Sequence, residues 1–151
     1  MVLYLKDNKK MFIQNRDESR AYFYNVRKKQ KNKLPLEPEE VVISDVISEH
    51  PEYHYYLDSK ESVNVNDFNV ENNEINPFLH MGMHIALKEQ VNSDRPIGIN
   101  TIFKQIISRS ITLHDAEHKM MECLGKSLWE AQCKNQLPDE NEYIECLKKV
   151  S

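Results

Sequence analysis

Apolar residues recur at helical spacing along almost the whole chain, and this periodicity restricts the fold more than any other feature. Only three glycines occur among 151 residues, which disfavours hairpins, phosphate-cradling loops and many-stranded β folds. The sequence therefore predicts an all-α protein, a bundle of five to six helices. The helices are expected over residues 17–31, 38–50, 77–91, 96–110, 112–133 and 140–150.

Prolines and polar stretches mark the interruptions between these helices. Pro51 is expected to kink the second helix or to open a fresh segment through Leu57, because proline lacks the backbone N–H donor. Residues 58–76 are rich in Asn, Asp and Glu and predict one long polar loop, although alternating apolar residues within it could pair as a short strand. A single helical domain is expected over residues 1–151, with residues 1–15 as a flexible or loosely packed arm.

Charge is distributed unevenly along the chain. Residues 1–33 hold ten Lys and Arg against three acidic residues, a net +7, and the remainder has a net charge of -11. The basic run 27–33 could be the solvated end of a helix, dock onto the protein's own acidic body, or meet an anionic partner. It contains no interleaved aromatic residues, so binding to nucleic acid is disfavoured.

The cysteines and the apolar runs bear on the cellular compartment. Cys123, Cys133 and Cys146 are odd in number and show no C-x-x-C spacing, which disfavours a disulfide framework or a cysteine zinc site. No apolar run predicts a membrane span or a secretory signal. A reduced, cytoplasmic protein is therefore expected, possible homo-oligomerisation stays open, and no protein partner is indicated.

All six histidines fall into three pairs with a spacing of four residues. The pairs are His50 with His54, His80 with His84, and His114 with His118. Random placement would give this arrangement with a probability on the order of 3 in 100,000. Residues four apart on a helix have Cβ atoms about 5–6 Å apart, so two imidazoles can converge on one ion or on two adjacent ions. The second and third pairs share their helix faces with apolar residues and are expected to face the interior.

Six imidazoles that converge in an interior predict a transition-metal site. A catalytic zinc needs three protein ligands, whereas a dinuclear centre can use all six nitrogens and requires carboxylates as well. Glu122 follows His118 at the same spacing and is the favoured carboxylate. Zinc and iron are the favoured ions, with manganese, nickel and copper as alternatives. An ion with an open coordination position would activate water or oxygen, but no substrate or catalytic residue is indicated.

Other interpretations of the histidines remain open. The cluster could be a hydrogen-bonded polar core in a non-enzymatic interaction module, with the basic amino-terminal segment meeting a partner. Residues 114–118 also read H-x-x-E-H, the inverted zinc-protease motif, which would leave four histidines without a role. Motifs for nucleotide binding and for serine hydrolases are absent from the sequence.

Three histidine segments, residues 50–54, 76–84 and 114–124, carry a resemblance to a known family. With residues 95–98, 128–132 and 138–140, they make the chain resemble a bacterial family catalogued as domain of unknown function 1841. The resemblance extends from about Arg16 to Leu147 and implies a bacterial cytoplasmic protein without adding an activity. A weaker architectural analogy is with hemerythrin-like di-iron helical bundles, which bring more carboxylates to their metals.

Overall fold

A computed structural model of the chain describes residues 16–59 and 76–151. Over these residues the structure contains seven α-helices, one turn of 3-10 helix and no strand, which confirms the all-α fold. The helices are α1 (Arg16–Lys31), α2 (Pro38–Glu49), α3 (His54–Asp58), α4 (Pro77–Ser93), α5 (Ile99–Ser108), α6 (Leu113–Cys133) and α7 (Glu140–Val150). The predictions for residues 1–15 and for a loop or strand within 60–75 lie outside the described residues.

Short polar side chains start several of these helices by satisfying backbone N–H groups that have no partner within the helix. Asn76 Oδ1 accepts from the N–H of Phe78 at 2.9 Å, directly before α4. Thr112 Oγ1 accepts from the N–H of Asp115 at 3.0 Å and caps α6. Local sequence signals therefore explain where α4 and α6, which each carry a histidine pair, begin.

The helix predicted to begin at Pro96 begins three residues later, at Ile99. Gly98 has a backbone φ of 95°, a left-handed conformation that a right-handed helix cannot include. Asp94 Oδ1 accepts from the N–H groups of Gly98 and Asn100 at 3.2 and 3.0 Å, and this holds the turn before α5. The helix start predicted at Pro96 was therefore wrong, because the conformation of Gly98 determines where α5 begins.

The chain divides into two compact units, and α4 contributes residues to both. In the amino-terminal unit, which ends at Ile85, α1, α2, α3 and the first half of α4 enclose an apolar core. Its buried residues are Phe23, Val26, Ile43, Val46, Ile47, Leu57, Phe78, Met81 and Ile85. The Arg20 guanidinium lies 4.6 Å from the ring centroid of Phe78, within the range of a cation–π contact. The expectation of a single domain stays a prediction.

The carboxy-terminal unit begins at Ala86 and contains the second half of α4 with α5, α6 and α7. Leu87, Ile99, Met120 and Leu147 are completely buried in it. The Tyr143 hydroxyl donates to Gln90 Oε1 at 2.6 Å, which ties α7 to α4 within this unit. Burial raises the pKa of Tyr143 far above its ordinary value.

A disulfide joins Cys123 of α6 to Cys146 of α7, with the two Cα atoms 5.7 Å apart. The expectation of reduced cysteines is therefore wrong for this pair, whereas Cys133 is a free, exposed thiol. The two bonded residues are 23 positions apart, so their contact comes from the packing of two helices and not from a local spacing. Counting cysteines and their short spacings could not detect it.

Candidate metal centre

His50 follows the last turn of α2 and is completely buried. Its Nδ1 lies 2.7 Å from the carbonyl oxygen of Val46, one turn back. A carbonyl oxygen only accepts, so Nδ1 must donate, and the neutral ring keeps its lone pair on Nε2. A backbone carbonyl that fixes the tautomer in this way is typical of histidines that bind metals.

His80 and His84 lie one turn apart in α4, and their Nε2 atoms are separated by 3.3 Å. His84 is completely buried. Two nitrogens bound to one tetrahedral zinc, each about 2.0–2.1 Å from it, would be about 3.3–3.4 Å apart. The observed contact thus suits either a hydrogen bond between the rings or two lone pairs that share one cation.

The structure brings His50 to the pair in α4, and we call these three residues the histidine cluster. The ring centroid of His50 lies 4.6 Å from that of His84 and 5.1 Å from that of His80. Each of the three offers a ring nitrogen within 4.8 Å of the others, as ligands of a common ion require. The cluster therefore has the donors and the compactness of a metal site.

Tyr53 covers one side of the histidine cluster. Its ring stacks on His50 at a centroid distance of 5.5 Å and an interplanar angle of 5°, and it meets His80 edge-on at 5.9 Å. Burial is the largest cause of the raised pKa of Tyr53, followed by the nearby charge of Glu52. The aromatic ring thus shields two of the imidazoles from water.

His54, predicted as the partner of His50, lies outside the histidine cluster among the described residues. Its Nε2 donates to the carbonyl oxygen of Ile47 at 2.8 Å, which leaves the lone pair on Nδ1. A spacing of four brings two rings together on a continuous helix, but α2 ends at Glu49 and the 3-10 turn Pro51–Tyr53 follows. The two rings therefore do not occupy consecutive turns of one helix.

The third pair lies on α6, in the carboxy-terminal unit. The ring centroids of His114 and His118 are 4.3 Å apart, so the spacing of four does bring these two imidazoles together. His114 is half-buried and His118 is exposed. The expectation that this pair faces the interior is therefore wrong for His118, although both residues offer ligand nitrogens close to each other.

Glu117, and not the predicted Glu122, is the buried carboxylate of α6. Glu122 is exposed, whereas Glu117 is 2% exposed and its Oε1 lies 2.8 Å from Lys88 Nζ. Lys88 lies on α4 one turn after His84. The amino-terminal unit supplies another carboxylate, because Glu49 places an oxygen within 4.8 Å of a ring nitrogen of His84. Glu49 was not among the predicted ligands, and its only signal in the sequence is its position directly before His50.

The basic run at the end of α1 pairs with acidic side chains of its own unit. Arg27 makes two hydrogen bonds to the Asp58 carboxylate, at 2.8 and 3.1 Å, and Lys29 Nζ lies 2.7 Å from Glu40 Oε1. The Arg27 hydrogen bonds hold the pKa of Asp58 below its ordinary value, and the Lys29 contact lowers the pKa of Glu40. Of the three interpretations of the basic run, the contacts of Arg27 and Lys29 support docking onto the protein's own acidic groups. The bidentate contact also holds α3 against α1.

The family model described as Domain of unknown function (DUF1841) matches residues 15–149. The chain belongs to the DUF1841 family. The matched range of this DUF1841 protein contains all six histidines, and the resemblance inferred from the three histidine segments is confirmed. No curated protein and no solved structure matches the chain. None of the helices in residues 16–59 and 76–151 combines the length and apolarity needed to cross a bilayer.

Proposed function

We propose that this DUF1841 protein binds a transition-metal ion through the histidine cluster, with His50, His80 and His84 as ligands. The observation that carries the proposal is the 3.3 Å separation of the His80 and His84 Nε2 atoms, with the buried ring of His50 beside them. This separation equals the one expected for two nitrogens on a single tetrahedral zinc. Three imidazoles are also the protein ligands with which a catalytic zinc can be held.

Burial of the rings supports an ion as their common partner. His50 and His84 are completely buried, and imidazole is a polar group whose burial is costly unless its nitrogens interact. The carbonyl oxygen of Val46 accepts a hydrogen bond from Nδ1 of His50. This fixes the tautomer with the lone pair on Nε2, the nitrogen that would bind the ion. One cation would serve the ring nitrogens of all three residues together.

We further propose His114 and His118 as ligands of a second ion, bound within the carboxy-terminal unit. Their rings are 4.3 Å apart, and Glu117 lies between them in sequence. His54 and Glu122 were predicted as ligands from sequence spacing alone, and the proposed ligand set does not include them.

The donor set determines which ions to test first. Imidazole nitrogen suits zinc, iron, copper and nickel, whereas manganese prefers oxygen donors. The ligand spacing favours zinc, and nearby carboxylates such as Glu49 keep iron as the second choice. An ion held by three imidazoles would have a further coordination position for water, which it would make more acidic. No substrate is assigned.

Elemental analysis of protein purified without a histidine tag tests the proposal. The protein would be loaded with zinc or iron(II), freed of excess metal and compared with variants on α4. We expect about one or two ions per chain, and at least a tenfold loss of affinity in His84→Ala. Asn92→Ala, an exposed position on the same helix, should bind as the wild type does. His80→Ala provides a second ligand variant if His84→Ala has lost helical circular dichroism.

The alternative function is an interaction module in which the histidine cluster is only structural. Protein that stays metal-free after loading, with the same melting temperature in chelator as in zinc, would overturn the metal proposal and support this module. A stoichiometry of two ions that falls to one in His118→Ala would place the second ion at the third pair. An unchanged stoichiometry in that variant would refute the extension to α6 alone.

A further inference from the structure

A cavity of about 510 Å³ lies between α6 and α7 within the carboxy-terminal unit. Its lining includes both sulfur-bearing residues of the disulfide, Cys123 and Cys146, together with Lys126, Leu137 and Tyr143. The volume is within the range of small-molecule sites. A molecule in this α6–α7 cavity would therefore lie beside both cysteines of the disulfide.

The two residues of the disulfide differ in exposure. Cys123 is 1% exposed, whereas Cys146 is half-buried. Exchange needs an attacking sulfur to reach the disulfide in line with the bond that breaks, so accessibility selects the sulfur that is attacked. An incoming thiol would therefore attack the sulfur of Cys146, and the sulfur of Cys123 would be the leaving group.

We propose that the Cys123–Cys146 disulfide is a thiol-exchange site, at which a small thiol enters the α6–α7 cavity and forms a mixed disulfide with Cys146. The thiolate sulfur of the small molecule bonds to Cys146 Sγ, the bond between the two cysteine sulfurs breaks, and its electron pair leaves on Cys123 Sγ, which takes up a proton. A second molecule of the same thiol attacks the sulfur of the first. The two thiols are oxidised to one disulfide, and the protein gains two electrons and two protons.

The carboxy-terminal unit holds α7 through contacts that do not involve the disulfide. Leu147 is completely buried, and the Tyr143 hydroxyl donates to Gln90. At the end of the chain, Arg109 donates from a guanidinium nitrogen to the carbonyl oxygen of Ser151 at 2.8 Å. Opening of the disulfide is therefore expected to be reversible without loss of the helix.

The charges around the α6–α7 cavity do not select one kind of thiol. The lining contains three lysines and four acidic residues, which nearly cancel each other. The lysines are Lys126, Lys134 and Lys149, and the acidic residues are Glu130, Asp139, Glu142 and Glu145. The chemical class is therefore a small aliphatic thiol of either charge, and glutathione is a suitable probe.

Two matched variants test which sulfur reacts, each in a Cys133→Ser background that removes the exposed free thiol. In Cys123→Ser, oxidised glutathione should form a stable mixed disulfide with Cys146, because the resolving cysteine is gone. In Cys146→Ser, Cys123 should react at least about tenfold more slowly because it is buried. Mass spectrometry of the folded proteins measures both rates. Equal rates, or faster reaction at Cys123, would overturn the proposal.

A second measurement uses the chain with its disulfide intact. Reduced glutathione is added to native Cys133→Ser protein, samples are quenched in acid, and the thiols are counted while circular dichroism follows the helices. We expect the disulfide to open with unchanged helical signal and an intermediate adduct on Cys146. Persistence of the disulfide until the protein unfolds would contradict exchange through the α6–α7 cavity.

Discussion

Val46 accepts a hydrogen bond from Nδ1 of His50 at 2.7 Å, so the last turn of α2 sets the tautomer of a completely buried imidazole. The lone pair of the neutral ring is therefore on Nε2, the nitrogen through which His50 would bind a metal ion. The carbonyl oxygen of Ile47 instead accepts a hydrogen bond from Nε2 of His54, which leaves the lone pair of that ring on Nδ1. These adjacent carbonyls thus select different tautomers of the two histidines, and of the two only His50 belongs to the histidine cluster.

We expect His50→Ala to weaken zinc binding at least tenfold and His54→Ala to change it less than threefold. The reason is that His50 lies within the histidine cluster and His54 outside it. Competition with a chromogenic chelator measures both affinities, and circular dichroism controls for folding. Equal losses in the two variants would show that the ligands follow the sequence spacing instead of the observed geometry.

We expect Lys88→Met to lower the free energy of unfolding by about 3 kcal/mol, because it leaves the buried carboxylate of Glu117 without its ion-pair partner. Replacing both residues, as Lys88→Met with Glu117→Leu, should recover most of this loss, since no buried charge remains. Urea unfolding in the presence of chelator measures the effect apart from any metal. A double variant as unstable as the single variant would contradict this account of the pair.

We expect the Arg27–Asp58 pair to stabilise the protein at neutral pH and to lose this effect in acid. The pKa of Asp58 is lowered in the folded state, so its contribution is present above the unfolded pKa of about 4 and disappears as the pH falls through the folded pKa. Asp58→Asn should therefore cost about 1 kcal/mol at pH 7 and progressively less below about pH 4. Urea unfolding across this range measures the difference, with the exposed Asp45→Asn as control.

We expect Ile43→Ala to destabilise the protein by about 2–4 kcal/mol, because Ile43 is completely buried in the core of the amino-terminal unit and its truncation leaves a cavity. Val41→Ala, on the same helix and 44% exposed, should change the stability by less than about 0.5 kcal/mol. Chemical denaturation provides both values. Comparable losses would mean that the face of α2 assigned to the core is incorrect.

Most helix bounds could be predicted from the sequence because their signals are local. Pro38, Pro77 and Thr112 mark helix starts through the φ of proline or a side-chain cap, and the structure confirms all three. The pairs 80/84 and 114/118 were also predictable, since consecutive helical turns bring residues four apart together. The His50–His54 pair was not, because Pro51 replaces the helix with a 3-10 turn.

The sequence by itself determined the helices and the two histidine pairs that lie within single helices, because both depend on contacts between residues only a few positions apart. The tertiary structure alone decided that His50 meets His84 and that Cys123 meets Cys146. It also decided that Glu117, and not Glu122, is buried. These outcomes depend on how the side chains of different helices pack against one another, and no spacing within one helix specifies that packing.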